Sequence, residues 1–382
     1  MTVIPVTPVT GAHPGYPMRH WVFRDAPGRY DIDLGDSNVD CGTVAELPFP
    51  SHLVLDYGTD RGGDRLRALV AGLYGRTADE VGITHGAQEA LYLLYSVLLR
   101  PGDRVVAFAP GWQQAWEAPA RMGCRTDLVA ATPEGRPDVA RAAALIGPDC
   151  RVVVLNSPCN PTGARFTDDE VDVLVRAARR YGSHLLIDEE YVADLPADSL
   201  LGRYERAVSV SSVSKVYGFP GLRTGWMCGP AEVVRAAMDH KHYTTISNSV
   251  LTEWLAAEVL ERREHYLDRY RRLTSAGGRL LGAWAARHPD AVTLRAPQGT
   301  PFAWLTLPGS ESSLSFCRRV LHEARVLLMP AEVFGAQRGV RITFAREEDV
   351  LKEGLARIDA VLEGRRSAAA AEPPLSPQHK ER

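Results

Sequence analysis

The chain has 382 residues, more than one hydrophobic core usually organises, so its length points to a large domain with a smaller companion. With 45% hydrophobic and 24% charged residues and a net charge of -3, it reads as an ordinary globular protein without the basic excess of a nucleic-acid binder. No apolar run reaches membrane-spanning length, and the start lacks both the basic residues and the unbroken apolar stretch of a signal peptide.

In chain order, residues 1–30 are rich in Pro, Thr and Gly and read as an extended N-terminal arm without chemistry. From residue 31, short β-branched runs alternate with amphipathic stretches. Residues 104–108, 151–156, 183–188 and 207–211 are expected as strands, and 167–181 as a helix between them. This alternation predicts βαβ units and an α/β domain with a mainly parallel sheet. A helical stretch over 248–272 is expected to bridge to a smaller α+β domain, residues 273–364. There, strands are predicted at 291–296, 302–307 and 339–344, and helices at 312–324 and 347–362. Residues 365–382 read as a disordered tail. The large domain, with its N-terminal segment and the bridge, is therefore placed at 31–272. The six cysteines are scattered and form no pair or Cys/His cluster of metal spacing, so reduced thiols, no metal and a cytoplasmic setting are expected.

Several segments carry residue types suited to chemistry. Ser212, Ser214, Lys215, Gly218, Gly221 and Arg223 follow a predicted strand. A lysine at a strand end among small residues suits capture of an aldehyde, because its amine must be partly desolvated to react near neutral pH. Thr84-His85-Gly86-Ala87-Gln88 opens an apolar helix, and a helix start with free N–H groups is a seat for phosphate. Ala109-Pro110-Gly111-Trp112 and the run from Asn156 through Asn160 to Gly163 each follow a strand. Asp188 closes an apolar strand, and a buried carboxylate there needs a cationic partner. Its neighbours Glu189 and Glu190 are expected as solvent-facing or helix-start charges. Tyr191 lies three residues beyond Asp188, and Arg341 sits in a short apolar strand near the C-terminus.

Taken together, and in this order over residues 31–362, these segments resemble the class I/II aminotransferases, which are fold type I pyridoxal phosphate (PLP) enzymes. The resemblance implies a PLP cofactor held by Lys215 as a Schiff base, with the same lysine moving the substrate Cα proton. It implies that Ser212, Arg223, Gly86, Ala87 and Gln88 hold the phosphate, and that Trp112 stacks on the pyridine ring. Asp188 would keep the ring nitrogen protonated, and Asn160 and Tyr191 would share the phenolic oxygen. Arg341 would grip the substrate carboxylate as a two-point pair. Tyr57, in the run Tyr57-Gly58 to Arg67, would reach the phosphate of a neighbouring subunit, which implies a homodimer with shared active sites.

The resemblance implies an amino-acid substrate and, by default, transamination. Some segments, among them residues 31–39, 84–93, 217–226 and 333–335, resemble a branch that dehydrates and cyclises a β-substituted amino acid, so elimination or cyclisation in specialised biosynthesis is the alternative. Where the family often has a glycine near the substrate this chain has Asn38, a candidate substrate contact, and Pro330-Ala331 replaces a common Pro-Gly. Asp36 and Asp40 lie in the same loop and are read equally well as receivers of a cationic side chain or as solvated loop acids. An amino-acid-sensing regulator is disfavoured, because the stretch before residue 31 is too short and too neutral for a helix-turn-helix.

Overall fold

The structure, a computed structural model, describes residues 3–6 by their backbone and residues 17–364 in full. Its strands are β1 (Val3–Val6), β2 (Ile32–Asp33), β3 (Val81–Thr84), β4 (Arg104–Ala109), β5 (Arg125–Ala130), β6 (Cys150–Asn156) and β7 (His184–Asp188). They continue with β8 (Ala207–Ser212), β9 (Gly225–Cys228), β10 (Thr293–Arg295), β11 (Phe302–Thr306), β12 (Val326–Leu327), β13 (Met329–Pro330) and β14 (Val340–Thr343). The helices are α1 (Pro17–His20), α2 (Asp64–Tyr74), α3 (Gly86–Leu98), α4 (Gln114–Arg121), α5 (Val139–Leu145) and α6 (Asp168–Tyr181). After these come α7 (Ala231–Lys241), α8 (Val250–Glu261), α9 (Arg263–Ala286), α10 (Ser313–Glu323) and α11 (Glu348–Leu362).

Eight strands form the large sheet in the order β1-β5-β4-β6-β7-β8-β9-β3. The five from β5 to β8 run parallel, while β9 is antiparallel to both its neighbours. Strands β6 and β7 are buried on both faces, which is why they read as the continuous apolar runs 152–155 and 185–187. Helix α6 shows how the crossovers are encoded. Thr167 and Glu170 make a reciprocal capping box, acids fill the first turn and Arg179 and Arg180 the last, and Gly182 ends the helix with φ at 71°. Its buried Val171, Leu174, Val175 and Ala178 follow the helical period and face the sheet.

A second, antiparallel sheet has the order β10-β11-β14-β13, and β12 pairs in parallel with β2. That last pairing carries residues 33–40 from the start of the chain to the edge of this sheet, beside β14. Two expectations need correction. The supposed arm is helical from residue 17 to 25, and Trp21 is buried with its Nε1 donating 2.8 Å to the Leu328 carbonyl. Met18 is buried as well, so the segment docks through apolar side chains. The expected bridge over 248–272 is two helices broken at Arg262, and α9 continues past residue 272 to Ala286. Leu273, Gly277, Leu281 and Trp284 keep its buried face going, and a Cβ on Gly277 would come within 1.9 Å of the Phe344 carbonyl oxygen. A division at 272 therefore falls inside a helix. The predicted tail lies outside the described residues.

Candidate active site

The carboxyl ends of the parallel strands converge where ligands bind in open α/β sheets. Asn156 ends β6, Asp188 ends β7 directly beside it, and Ser212 ends β8. Across β9, Gly225 pairs with both Ser212 and Thr84, which brings the start of α3 to the same rim. The register alone thus gathers four segments that are far apart in sequence.

At the start of α3, Gly86 has φ at 74°, and a Cβ there would stand 2.6 Å from Nη2 of Arg223. Arg223 itself holds a left-handed φ of 50°, a conformation that a non-glycine residue adopts at some cost. The unpaired N–H groups of Gly86, Ala87 and Gln88, the guanidinium and the Ser212 hydroxyl form a cup of donors. Ser212 Oγ donates to Glu190 at 2.9 Å and accepts from the Ser214 N–H at 3.0 Å.

Lys215 follows β8 by three residues. Its Nζ donates to Asn38 Oδ1 at 2.7 Å and to Ser37 Oγ at 2.9 Å. Asn38 in turn donates to Asp36 at 2.9 Å, and the Ser37 N–H donates to the same carboxylate at 2.6 Å. Burial disfavours the Asp36 anion, yet Lys215, Arg346, the Ser37 N–H and Arg341 outweigh it and hold this carboxyl below the usual range. Asp36 therefore faces the lysine. Asp40 does not, because it caps the Glu347 N–H at 3.0 Å and sits 3.7 Å from Arg346, so it supports the loop.

Asp188 is pushed well up by burial, and further by the neighbouring carboxylate of Glu190. A cleft opens beside it, lined by Trp112, Asn156, Cys159 and Thr162. Trp112 donates through Nε1 to Gln88 at 3.2 Å, which ties the aromatic to the helix start. Asn156 Oδ1 accepts the Asn160 N–H at 2.6 Å and so closes the proline-rich loop. Tyr191 is buried, packed edge-on against Phe302 at 5.0 Å, and burial pushes its phenol well up despite nearby Arg341.

Arg341 comes from the small sheet, where it is opposite Trp304 and Met329. It is 3% exposed, lies between the rings of Phe302 and Phe334, and donates to Asn160 Oδ1 at 2.7 Å and to the Gly35 carbonyl. Of the residues predicted from sequence, Trp112 and Asp188 line this cleft, Gln88 bonds to Trp112, Lys215 to Asn38 and Arg341 to Asn160, while Tyr57 stands apart, 84% exposed on the surface.

Two acids depart from expectation. Glu189 is fully buried behind the sheet end, accepting from the Ser199 hydroxyl, the Leu200 N–H and Ser209. Glu190 is 8% exposed and points back into the site. The side-chain alternation of β7 persists past Asp188, sending Glu189 to the core and Glu190 to the Ser212 hydroxyl, so neither is a solvent charge. Sequence reasoning also missed Ser37 and Arg346, the latter donating 2.6 Å to the Asn38 carbonyl. Their only signal was proximity in sequence to Asn38 and to Arg341.

This donor set fits pyridoxal phosphate: a cup of N–H, hydroxyl and guanidinium for a phosphate, an amine for an aldehyde, and a buried carboxylate in need of a cation for a pyridinium nitrogen. All six cysteines are unpaired. No helix among the described residues is long and apolar enough to cross a membrane.

The chain is similar to capreomycidine synthase of Streptomyces vinaceus, 31% identical over 92% of this chain and 94% of the relative. It is 30% identical to the aspartate/prephenate aminotransferase of Thermus thermophilus, over 75% of this chain and 76% of that one. Among solved structures, a PLP-dependent aminotransferase from Streptococcus suis superposes with a TM-score of 0.87 at 27% identity, covering 92% of this chain and 98% of its own. The PLP-dependent cyclase OrfR does so at 0.84 and 26%, covering 93% and 99%. The family described as aminotransferase class I and II matches residues 45–358. The chain belongs to this family, and it is a fold type I, pyridoxal phosphate-dependent enzyme.

Proposed function

We propose that the protein is an aminotransferase that works on an amino acid through a Schiff base at Lys215. The observation that carries this is the position of Lys215 Nζ, at a strand end between the Asp36–Asn38 loop and the cleft beside Asp188. When bound, the cofactor supplies an electron sink for a bond broken at the substrate Cα. The chain's residues do the rest. Gly86, Ala87, Gln88, Ser212 and Arg223 bind the phosphate, Trp112 covers one ring face, and Asp188 holds a proton on the ring nitrogen. Asn160 and Tyr191 hold the phenolic oxygen, Arg341 orients the substrate carboxylate near Asn38, and the Lys215 amine moves the Cα proton.

A second reading is elimination or ring closure on a β-substituted amino acid. Similarity to capreomycidine synthase and to OrfR favours it, as does the ionised Asp36 buried beside Lys215. A buried carboxylate there could receive a cationic side chain.

Incubating the purified protein with candidate amino acids, without a keto acid, separates the two. Transamination converts the cofactor to its amine form in stoichiometric amount. Unchanged cofactor with release of water or ammonia would sink that reading in favour of the second. Replacing Lys215 by Ala should remove the visible absorbance of the lysine-bound cofactor, and a variant that kept it would overturn both.

The exposed Tyr57, with exposed Val54, Leu55 and Tyr243, supports a homodimer in which Tyr57 serves the partner's phosphate cup. Light scattering tests this, and a monomer at micromolar concentration speaks against it. The unpaired cysteines support a cytoplasmic setting.

A further inference from the structure

The proposed cofactor placement gives Asp188 a partner and leaves Glu190 without one. Glu190 lies two residues on, on the same side of the chain, and its Oε2 accepts the Ser212 hydroxyl at 2.9 Å. The groups facing it are Lys215 and Arg223, with Asp188 and Tyr191 from its own segment. In the cofactor-free protein burial pushes the Glu190 carboxyl up, while Lys215, the Ser212 hydroxyl and Arg223 favour its anion and oppose that shift.

A bound phosphate changes that balance. Arg223 turns to a dianion brought into the same cup, and the Lys215 amine is committed to the aldehyde. Ser212 has a single hydroxyl hydrogen, and its oxygen already accepts the Ser214 N–H. It can donate to Glu190 or to the phosphate, not to both. An ionised Glu190 would then lie in a buried cup with a dianion and no donor of its own, which desolvation and like-charge repulsion both oppose. A neutral Glu190 removes the conflict, because its O–H can donate to Ser212 Oγ while the Ser212 hydrogen turns to the phosphate.

We propose that Glu190 is a cofactor-binding residue that takes up one proton from solvent when pyridoxal phosphate binds, becoming the donor to Ser212 so that Ser212 donates to the phosphate. The proposal rests on the cofactor placement above. No group is oxidised or reduced, and the only transfer it adds is one proton from water to carboxylate.

Calorimetric titration of the cofactor-free protein with pyridoxal phosphate at pH 8, in two buffers of different ionisation enthalpy, counts the protons taken up. The wild type should take up one proton more than Glu190→Gln, while Glu190→Asp keeps the extra proton. Wild-type affinity should also weaken with rising pH by up to about tenfold per unit more than that of Glu190→Gln. Pyridoxal, which lacks the phosphate, should show no difference between the proteins. Equal proton counts for wild type and Glu190→Gln overturn the proposal. So does a wild type that takes up no more protons with pyridoxal phosphate than with pyridoxal, an outcome that needs no variant to fold. A wild type that binds neither compound removes the cofactor placement itself, and the proposal with it.

Discussion

The guanidinium of Arg223 occupies the space that a side chain at Gly86 would need, with Nη2 only 2.6 Å from a Cβ built there. The glycine at the start of α3 and the arginine after β8 therefore define one anion cup, each making room for the other. Both hold positive φ, which glycine adopts freely but which for Arg223 is a conformation its surroundings must maintain.

Gly86→Ala tests this pair directly. The left-handed φ alone should cost about 1–2 kcal/mol of stability, read by urea denaturation. The displaced guanidinium should in addition weaken pyridoxal phosphate binding at least tenfold, read by titration of the cofactor-free protein. Unchanged affinity would separate Arg223 from the phosphate.

Asp188 makes a pH prediction. Burial, then Glu190, raises its carboxyl above the ordinary value, so between the unfolded and folded values the native state holds the extra proton. Stability of the cofactor-free protein is then greatest below the unfolded value and falls as pH rises toward the folded one. Asp188→Asn should flatten this slope and leave the cofactor-free protein more stable at pH 8, measured by thermal unfolding across pH. Activity should fall on the order of 10²-fold or more, since the amide cannot hold the ring nitrogen protonated.

Arg341 presents a planar fork between Phe302 and Phe334, and a lysine cannot reproduce its two-point pairing. Arg341→Lys should raise KM roughly 10- to 100-fold, the equivalent of about 1.5–3 kcal/mol for a charge-assisted pair, with a smaller effect on kcat. A change confined to kcat would place Arg341 outside substrate binding.

Glu189 tests the architecture behind the site. Glu189→Ala strips the Leu200 N–H and the Ser199 hydroxyl of their buried acceptor. The loss should be about 3 kcal/mol or more, measured by denaturant unfolding. Fully native stability would mean that the segment after β7 is anchored by other contacts.

What could be read without coordinates was local. Lys215, Ser212, Asp188 and Gly86 sit at strand ends or a helix start, in short contiguous segments whose resemblance to a known family implied their roles. The strands themselves were legible for a similar reason: buried parallel strands are apolar runs, and α6 carries its own caps. The course of α9 was not, because the helical period continues through a change in composition at residue 272.

The amino-acid sequence by itself therefore determined the parallel-sheet class and the order of the motifs by which the chain resembles its family, since each depends on neighbours a few residues away. Only the tertiary structure decided which way Glu189 and Glu190 face, because alternation at a strand end depends on what the strand packs against. It also decided that Asp36, Ser37 and Asn38 meet Lys215, a contact made when β2 pairs with β12 and the start of the chain is carried to the rim of the large sheet. Contacts between residues so far apart in the chain arise from packing and hydrogen-bond register, which no single stretch of sequence contains.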